Sequence, residues 1–219
     1  MCGRYALHAN PQVIALQFGL SSVPEVAPRY NIAPTTDVLV VRAAEGVRDS
    51  ARVRWGLVPR WAKDPSIGAR LNNARAETVA EKPAFRDAYR RRRCLVPASG
   101  FYEWKAEAGR KQPYYVYPAS GELFAFAGLW ERWSGPQGPL ETCVIVTTDA
   151  NDKMRTIHDR MPVMVSPGDY ALWLDSRLGS DPAALLRPCD PKEIEIRKVS
   201  PAVNNARNES TTLIEAAED

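Results

Sequence analysis

The sequence has few of the residues from which metal sites and disulfide scaffolds are built. Its 219 residues include two histidines and four cysteines, and the cysteines, at positions 2, 94, 143 and 189, form no Cys-x-x-Cys pair. A zinc finger is therefore excluded, and a disulfide framework is not expected at this chain length. We expect no metal, no cofactor and a cytoplasmic protein with reduced thiols.

Long hydrophobic runs are also missing. No apolar run approaches the roughly 20 residues of a membrane span, so we expect no membrane contact. The N-terminus has no basic region followed by an apolar stretch, which argues against a secretory signal. Because 45% of the residues are hydrophobic and 25% are charged, a coiled coil and a disordered chain are excluded as well. Without repeats or linkers, residues 1–219 are predicted to form one domain and a monomer, with a disordered tail from about residue 208.

The net charge is only +3, but the basic residues are 22 arginines against seven lysines. Arginine binds phosphate as a fork and stacks on bases, and the six tryptophans would suit the unpaired bases of a single strand. Neither observation decides whether the chain binds nucleic acid. A GC-rich genome also favours arginine codons, and most tryptophans in any domain belong to the core. The basic run at 90–93 is equally consistent with the solvated end of a helix.

The pattern of elements predicts an α+β fold with a largely antiparallel, barrel-like sheet and short flanking helices. Asn10, Pro11 and Gly19 frame a short helix with a polar N-cap, proline in the first turn and glycine at the end. Runs of β-branched and aromatic residues predict strands at 38–42, 52–57, 94–97, 114–117, 123–127, 142–147, 162–165 and 193–199. Further helices are predicted at 78–91, 168–175 and 182–186.

Cys2 is the first candidate for chemistry. Loss of Met1, through the cell or through the protein itself, would leave a cysteine whose α-amine and thiol titrate near about 7.7–8.0 and about 8.5. Such a 1,2-aminothiol condenses with an aldehyde to an imine, which the thiol closes to a thiazolidine. Alternatively, the thiol attacks an amide with the α-amine as its base, as in N-terminal nucleophile hydrolases. The position alone does not choose between these reactions, or between either of them and no reaction.

Two further residues could move protons. His158 lies in a polar loop with Asp159 and Arg160 between two predicted strands, where catalytic residues concentrate. Glu103 lies inside an aromatic run, and partial burial there would raise its pKa and suit it to general acid or base work. A structural histidine and a solvent-facing glutamate are the plain alternatives.

The sequence Asn73-Ala74-Arg75 precedes a predicted helix. Its amide could donate to a developing oxyanion and its guanidinium could bind a phosphate. A second Asn-Ala-Arg tripeptide at 205–207 shows that the pattern is not specific by itself.

Several short sequence motifs, taken in their order along the chain, resemble those of the SOS-response-associated peptidase family, the abasic-site processing proteins. The resemblance covers nearly the whole chain, from residue 2 to about residue 205. The chain opens Met-Cys-Gly-Arg-Tyr, and seven motifs, this opening included, fit the family in order. After the opening they lie at 31–35, 55–62, 73–78, 94–104, 126–130 and 157–162. The chain resembles the bacterial, single-domain members, and for such a protein we expect association with the nucleoid during DNA damage.

The resemblance implies a reaction. Members of the family link the N-terminal cysteine covalently, as a thiazolidine, to the aldehyde of an abasic site in single-stranded DNA, which shields the lesion. By this likeness Cys2 is the nucleophile after Met1 is lost, by self-cleavage among other routes. Asn73 holds the N-terminal residue or the sugar, Glu103 assists proton transfer, and His158 is a second acid or base.

The same likeness implies a DNA interface. Arg4, Arg75 and Arg160 would bind the phosphates that flank the lesion. Trp104 would stack on or wall the site, and Thr147 would contact the DNA backbone. Two other functions stay open from the sequence: an N-terminal nucleophile amidohydrolase, whose relatives also begin Met-Cys-Gly, and a non-catalytic module that binds single strands.

Overall fold

The structure is a computed structural model, and it describes residues 2–107, 109–136, 138–177 and 181–217. The first six strands are β1 (Tyr5–Leu7), β2 (Arg29–Ile32), β3 (Asp37–Ala44), β4 (Val47–Trp55), β5 (Asn73–Arg75) and β6 (Arg93–Ala98). The next six are β7 (Gly100–Glu107), β8 (Arg110–Pro118), β9 (Phe124–Gly135), β10 (Gly138–Asp149), β11 (Arg160–Pro162) and β12 (Ile194–Lys198). The α-helices are α1 (Pro11–Phe18), α2 (Arg86–Arg91), α3 (Asp152–Arg155) and α4 (Tyr170–Leu174).

Five strands close into a ring. Strand β10 pairs with β4, β4 with β3, β3 with β6, β6 with β9, and β9 again with β10. Strands β5 and β11 add to β10 outside the ring. Among the named strands of the described chain, the pairings of β10 with β4 and with β5 are parallel and the others are antiparallel. The predicted α+β class with a largely antiparallel, barrel-like core is therefore confirmed.

A second sheet, in the order β12-β8-β7-β1-β2, is antiparallel throughout. Tyr5 of β1 makes edge-on ring contacts with Trp55 of β4 and Phe126 of β9, at centroid distances of 5.4 and 6.2 Å. One face of the sheet thus packs against the ring of strands through large buried aromatic side chains, which contribute strongly to core stability. The chain just before β1, including Cys2, belongs to the same core cluster.

The C-terminal segment, defined here as residues 199–217, covers another part of this sheet. Its Val199, Val203 and Leu213 are buried in a small separate cluster with Tyr102 and Tyr115. Two short 3₁₀ helices, Pro201–Asn204 and Thr211–Ile214, lie in this segment. The described part of the chain thus extends its packing to Leu213, inside the range for which the sequence predicts a disordered tail. Residues 218–219 of that tail lie outside the described residues.

Helix α1 is confirmed with its caps: the Asn10 side chain accepts from the backbone N–H of Gln12, and Gly19 adopts the left-handed conformation at φ 61°. The prediction of one helix over 78–91 is wrong, because α2 begins only at Arg86. Pro83 lacks the backbone N–H that a continuing helix needs and disfavours helical geometry in the residue before it.

Other elements also differ from the predictions. The segment 182–186 contains a 3₁₀ helix at Ala183–Leu185 instead of an α-helix. The strand predicted at 162–165 lies instead at Arg160–Pro162, because β11 pairs with β10 from Arg160 opposite Asp149 to Pro162 opposite Thr147. Strands β1, β2, β5 and β7 were not predicted. No helix in the described ranges is long and apolar enough to span a bilayer.

Candidate active site

Cys2 lies three residues before the start of β1 and is completely buried. Its carbonyl oxygen accepts a 2.7 Å hydrogen bond from the side-chain amide of Asn73. Asn73 begins β5, which runs parallel to β10 with Asn73 opposite Ile145. A residue 71 positions away in sequence is therefore held beside Cys2 by strand pairing.

The Asn73 amide uses only its donor side in this contact. Its Oδ1 atom is buried and has no hydrogen-bond partner among the residues that the structure describes. A buried acceptor without a partner costs free energy. It is therefore the kind of group that a ligand N–H or O–H would satisfy, and it lies next to Cys2.

Glu103 projects from β7 and is only 3% exposed. Burial raises the pKa of its carboxyl group, and the electrostatic interaction with His158 opposes that rise in part. The Cys2 thiol is affected in turn: burial raises its pKa far above the ordinary range, and the negative charge of Glu103 adds to the rise. The two groups are thus close enough to interact electrostatically, and both are held toward their protonated forms.

His158 follows α3, and the geometry of its loop sets its ring. The backbone N–H of His158 bonds the carbonyl of Met154 at 3.0 Å. Its Nδ1 atom accepts a 3.0 Å hydrogen bond from the backbone N–H of Arg160. In the neutral ring this leaves the proton on Nε2. Asp159 Oδ1 also lies 3.0 Å from Nδ1.

One open cavity of about 360 Å³ joins these elements. Its lining side chains come from β7, β8, the loop after α3 and the C-terminal segment: Glu103, Trp104, Lys111, His158 and Asn204. A buried acid and a histidine thus share one solvent-accessible space, and Cys2, held by Asn73, lies within electrostatic range of the acid. A cavity with a shifted acid and a neighbouring base is a typical catalytic arrangement.

The arginines of the candidate interface differ in what they contact. Arg75 is exposed at the end of β5. Arg160 is mostly buried, and its guanidinium bonds the carboxylates of Glu77 and Asp149 and the carbonyl of Thr147. The Thr147 side chain is itself buried, with Oγ1 3.5 Å from the Ala74 carbonyl.

Arg4 also has protein partners. Its Nη1 atom donates to Asn31 Oδ1 at 2.7 Å and to the Val203 carbonyl at 2.9 Å, and its guanidinium lies 6.0 Å from the Trp104 ring centre. Phosphate binding by Arg4 and Arg160, and backbone contact by Thr147, stay predictions. Each of these side chains already forms hydrogen bonds within the folded protein.

Sequence reasoning missed Lys111, Asn204 and Asn31. The pairing of β7 with β8 places Trp104 opposite Pro113 and brings Lys111 to the same hairpin. A strand prediction for 100–107 would have found that relation. Nothing in the sequence alone indicates that Asn204, a hundred residues from Trp104, bonds its indole. No three His, Cys, Asp or Glu side chains in the described ranges are grouped as metal ligands would be.

Comparison with known proteins places this geometry in a family. A family model described as SOS response associated peptidase matches residues 1–206. The chain is 42% identical to the abasic site processing protein YoqW of Bacillus subtilis, with 99% of this chain and 100% of that protein covered. It is 32% identical to the abasic site processing protein YedK of Escherichia coli, over 98% and 99% of the two chains. A crystal structure of a protein from Bacteroides thetaiotaomicron superposes with a TM-score of 0.88 at 26% identity, covering 99% of this chain and 100% of that one.

Proposed function

Because the chain belongs to the SOS response associated peptidase family, we propose that it processes abasic sites in single-stranded DNA by crosslinking to them through Cys2. The relatives it resembles over nearly their whole length are named abasic site processing proteins. The observation that carries the proposal is the placement of Cys2 beside Asn73 and within the electrostatic reach of Glu103. All these groups come from one chain, so a monomer suffices.

The chemistry balances without a cofactor. After Met1 is removed, the α-amine of Cys2 adds to the C1′ aldehyde of the opened sugar and expels one water to form an imine. The thiol sulfur then adds to the imine carbon, and the thiol proton ends on the former imine nitrogen. The product is a thiazolidine, and one water is the only molecule released. Met1 is removed either by an aminopeptidase or by the chain's own Cys2 site.

Glu103 supplies the proton transfers. Since its pKa is raised by burial, a larger share of the carboxyl groups stays protonated near neutral pH than in water. The acid form can protonate the ring oxygen that opens the sugar and the hydroxyl that leaves as water. The resulting carboxylate can accept the proton of the Cys2 thiol, which burial otherwise keeps on sulfur.

Asn73 and His158 hold the reacting groups. The Asn73 donor fixes the Cys2 carbonyl, and its open Oδ1 can accept from the freed amine or from a sugar hydroxyl. His158 lines the same cavity as Glu103 and can act as a second acid or base on the sugar. Fixing the amine against C1′ removes much of the entropic barrier to a bimolecular addition.

Binding before the reaction would depend on phosphates. Arg75 is exposed and free to meet a phosphate, while Arg4 and Arg160 would have to exchange or share their protein partners. An abasic sugar has no base to read, so we expect binding without sequence preference and with strong salt dependence. The finished adduct is covalent and should not respond to salt.

The deciding experiment mixes the protein with a single strand that carries one abasic site and measures the intact mass and the denaturing-gel mobility of the product. We expect a complex whose mass is the sum of the Met1-free protein and the strand less one water. Cys2→Ala should give no such species, whereas Cys189→Ala, a matched loss of one thiol elsewhere, should give it in full.

Two results would reject the proposal. An undiminished adduct from Cys2→Ala would remove the nucleophile assigned here. Equal, fully reversible binding of intact and abasic strands would instead identify a non-catalytic binding module.

A further inference from the structure

We propose that Lys111 and Asn204 extend the site into a non-covalent subsite for the nucleotide next to the reacting sugar. In this subsite Trp104 stacks on the base, Lys111 holds a phosphate, and Asn204 sets the orientation of the Trp104 indole. The inference rests on the proposed function, and it assigns roles to two residues that the crosslinking chemistry does not use.

The ends of the strands explain why both faces of β7 reach one cavity. Strand β1 pairs with β7 only at Gly100 and Phe101, and the last backbone contact on that side joins Tyr102 to Arg4. Beyond it, the described chain pairs β7 with β8 alone. Side chains alternate along a strand, so Glu103 and Trp104 leave opposite faces of β7. At the open edge both line the same cavity.

Asn204 is fixed from both sides. The carbonyl of the preceding residue, Val203, accepts from Arg4, and the carbonyl of the following residue, Asn205, accepts from the side-chain amide of Asn31 at 3.0 Å. Asn31 is itself buried and also donates to the Asn208 carbonyl at 2.8 Å. Anchors of this kind hold the peptide at Asn204 in one conformation.

The fixed Asn204 side chain then orients the tryptophan. Its Oδ1 atom accepts a 2.6 Å hydrogen bond from the indole N–H of Trp104. The Arg4 guanidinium lies over the Trp104 ring, 6.0 Å from the ring centre. A partly exposed indole whose orientation is fixed loses little entropy when a base stacks on it, which makes it an effective platform for an unpaired base.

Lys111 supplies the charge. Trp104 pairs with Pro113 and Ala106 pairs with Lys111, so Lys111 lies on the same sheet face as Trp104, two residue pairs further along. Of the side chains that line this cavity in the described chain, Lys111 alone carries a permanent positive charge. Its neighbour Lys105 lies 3.5 Å from Glu107, whereas Lys111 forms no ion pair with any carboxylate in the described ranges. An exposed lysine beside a stacking ring is suited to a nucleotide phosphate.

Reversible binding is measured first, with a strand that carries a tetrahydrofuran in place of the abasic sugar and so has no aldehyde to crosslink. Lys111→Met should weaken binding about 3- to 10-fold and reduce the slope of log affinity against log salt by about 0.7, the value for one phosphate contact on a single strand. Lys192→Met, which removes the same charge from a different cavity, should leave the slope unchanged. Equal slopes for the two variants would overturn the role of Lys111.

The positioning role of Asn204 is tested by a double-mutant cycle with Trp104→Phe, which keeps a ring but removes the N–H. Asn204→Ala and Trp104→Phe should each weaken tetrahydrofuran-strand binding about 3- to 10-fold, and the double variant should be no weaker than the worse single variant. In single-turnover crosslinking to a true abasic strand, the half-saturating concentration should rise while the maximal rate is kept.

Additive losses in the cycle, or a lower maximal rate with unchanged binding, would overturn the positioning role. Failure of the proposed function looks different: the wild-type protein would then form no adduct, while the tetrahydrofuran strand would still report on the subsite.

Discussion

Arg160 and Glu77 form a two-pronged ion pair, with Nη1 2.7 Å from Oε1 and Nη2 2.9 Å from Oε2. The same guanidinium bonds Asp149 at 2.7 Å. Because the backbone N–H of Arg160 donates to His158 Nδ1, this pair also fixes the loop that presents the histidine. Arg160 thus connects the stability of the fold to the geometry of the site.

Removing this pair should reduce stability. Arg160→Gln leaves two carboxylates without their cation and should lower the free energy of unfolding by about 2 kcal/mol, below the range for fully buried pairs because Glu77 is 46% exposed. Glu77→Gln should cost less, about 0.5 kcal/mol, since Asp149 remains and solvent screens an exposed carboxylate. Urea unfolding at pH 7 measures both, and an Arg160→Gln variant as stable as the wild type would contradict the assignment.

The pH dependence of this pair has a definite sign. The Arg160 hydrogen bond lowers the pKa of Glu77 in the folded state below its usual range. The stabilisation is therefore present above the ordinary glutamate pKa of about 4.3 and disappears as the pH falls through the folded value. The difference in unfolding free energy between the wild type and Glu77→Gln should shrink toward zero in acid.

Salt dependence should separate the arginines of the DNA interface. Arg75 is exposed, whereas both terminal nitrogens of Arg160 already bond protein oxygens. We expect Arg75→Gln to reduce the salt slope of single-strand binding by about 0.7 and Arg160→Gln to leave it unchanged. Anisotropy titrations of a tetrahydrofuran strand at several salt concentrations provide the measurement. A reduced slope for Arg160→Gln would show that the guanidinium exchanges its carboxylates for phosphate, as the family likeness implies.

Glu103→Gln should slow crosslinking by about 10²- to 10⁴-fold, the usual contribution of a general acid or base. The same change should stabilise the folded protein at neutral pH. Burial raises the pKa of Glu103, so ionising it costs folding free energy as the pH rises through and above the unfolded value, and glutamine removes that cost. Below about pH 4 the two proteins should converge.

Single-turnover rates at neutral pH and urea midpoints from about pH 3 to 8 test both statements about Glu103. A Glu103→Gln variant that crosslinks at the wild-type rate would contradict the acid–base role proposed for Glu103. A variant that is less stable than the wild type at pH 7 would contradict the burial argument.

Local signals predicted the parts of the fold that depend on few residues. The ends of α1 are predictable from Asn10, Pro11 and Gly19, and the central β-branched strands are recognisable from composition alone. Strands β1 and β5 have only three residues each, and they exist because longer partners, β7 and β10, pair with them. No local pattern carries that information.

The candidate site was likewise predictable only in part. Likeness to a family indicated Cys2, Asn73, Glu103 and His158, and the structure brings Asn73 against Cys2. The partners of Arg160 and the link between Trp104 and Asn204 join residues 83 and 100 positions apart. Such contacts are set by tertiary packing, so residue types alone could not indicate them, and phosphate binding by Arg160 stays a prediction.

Asn73 offers the sharpest test of how Cys2 is positioned. Asn73→Asp keeps an acceptor but loses the donor that holds the Cys2 carbonyl at 2.7 Å, and Asn73→Ala loses both. We expect both variants to slow single-turnover crosslinking, by about 10-fold or more, because a misplaced amine forfeits the advantage of a fixed geometry. Asn72→Ala is the matched control, since residue 72 contributes its backbone carbonyl, not its side chain, to the bond with Trp55. If Asn72→Ala slowed the reaction as much as Asn73→Ala, the effect would belong to the strand and not to the amide.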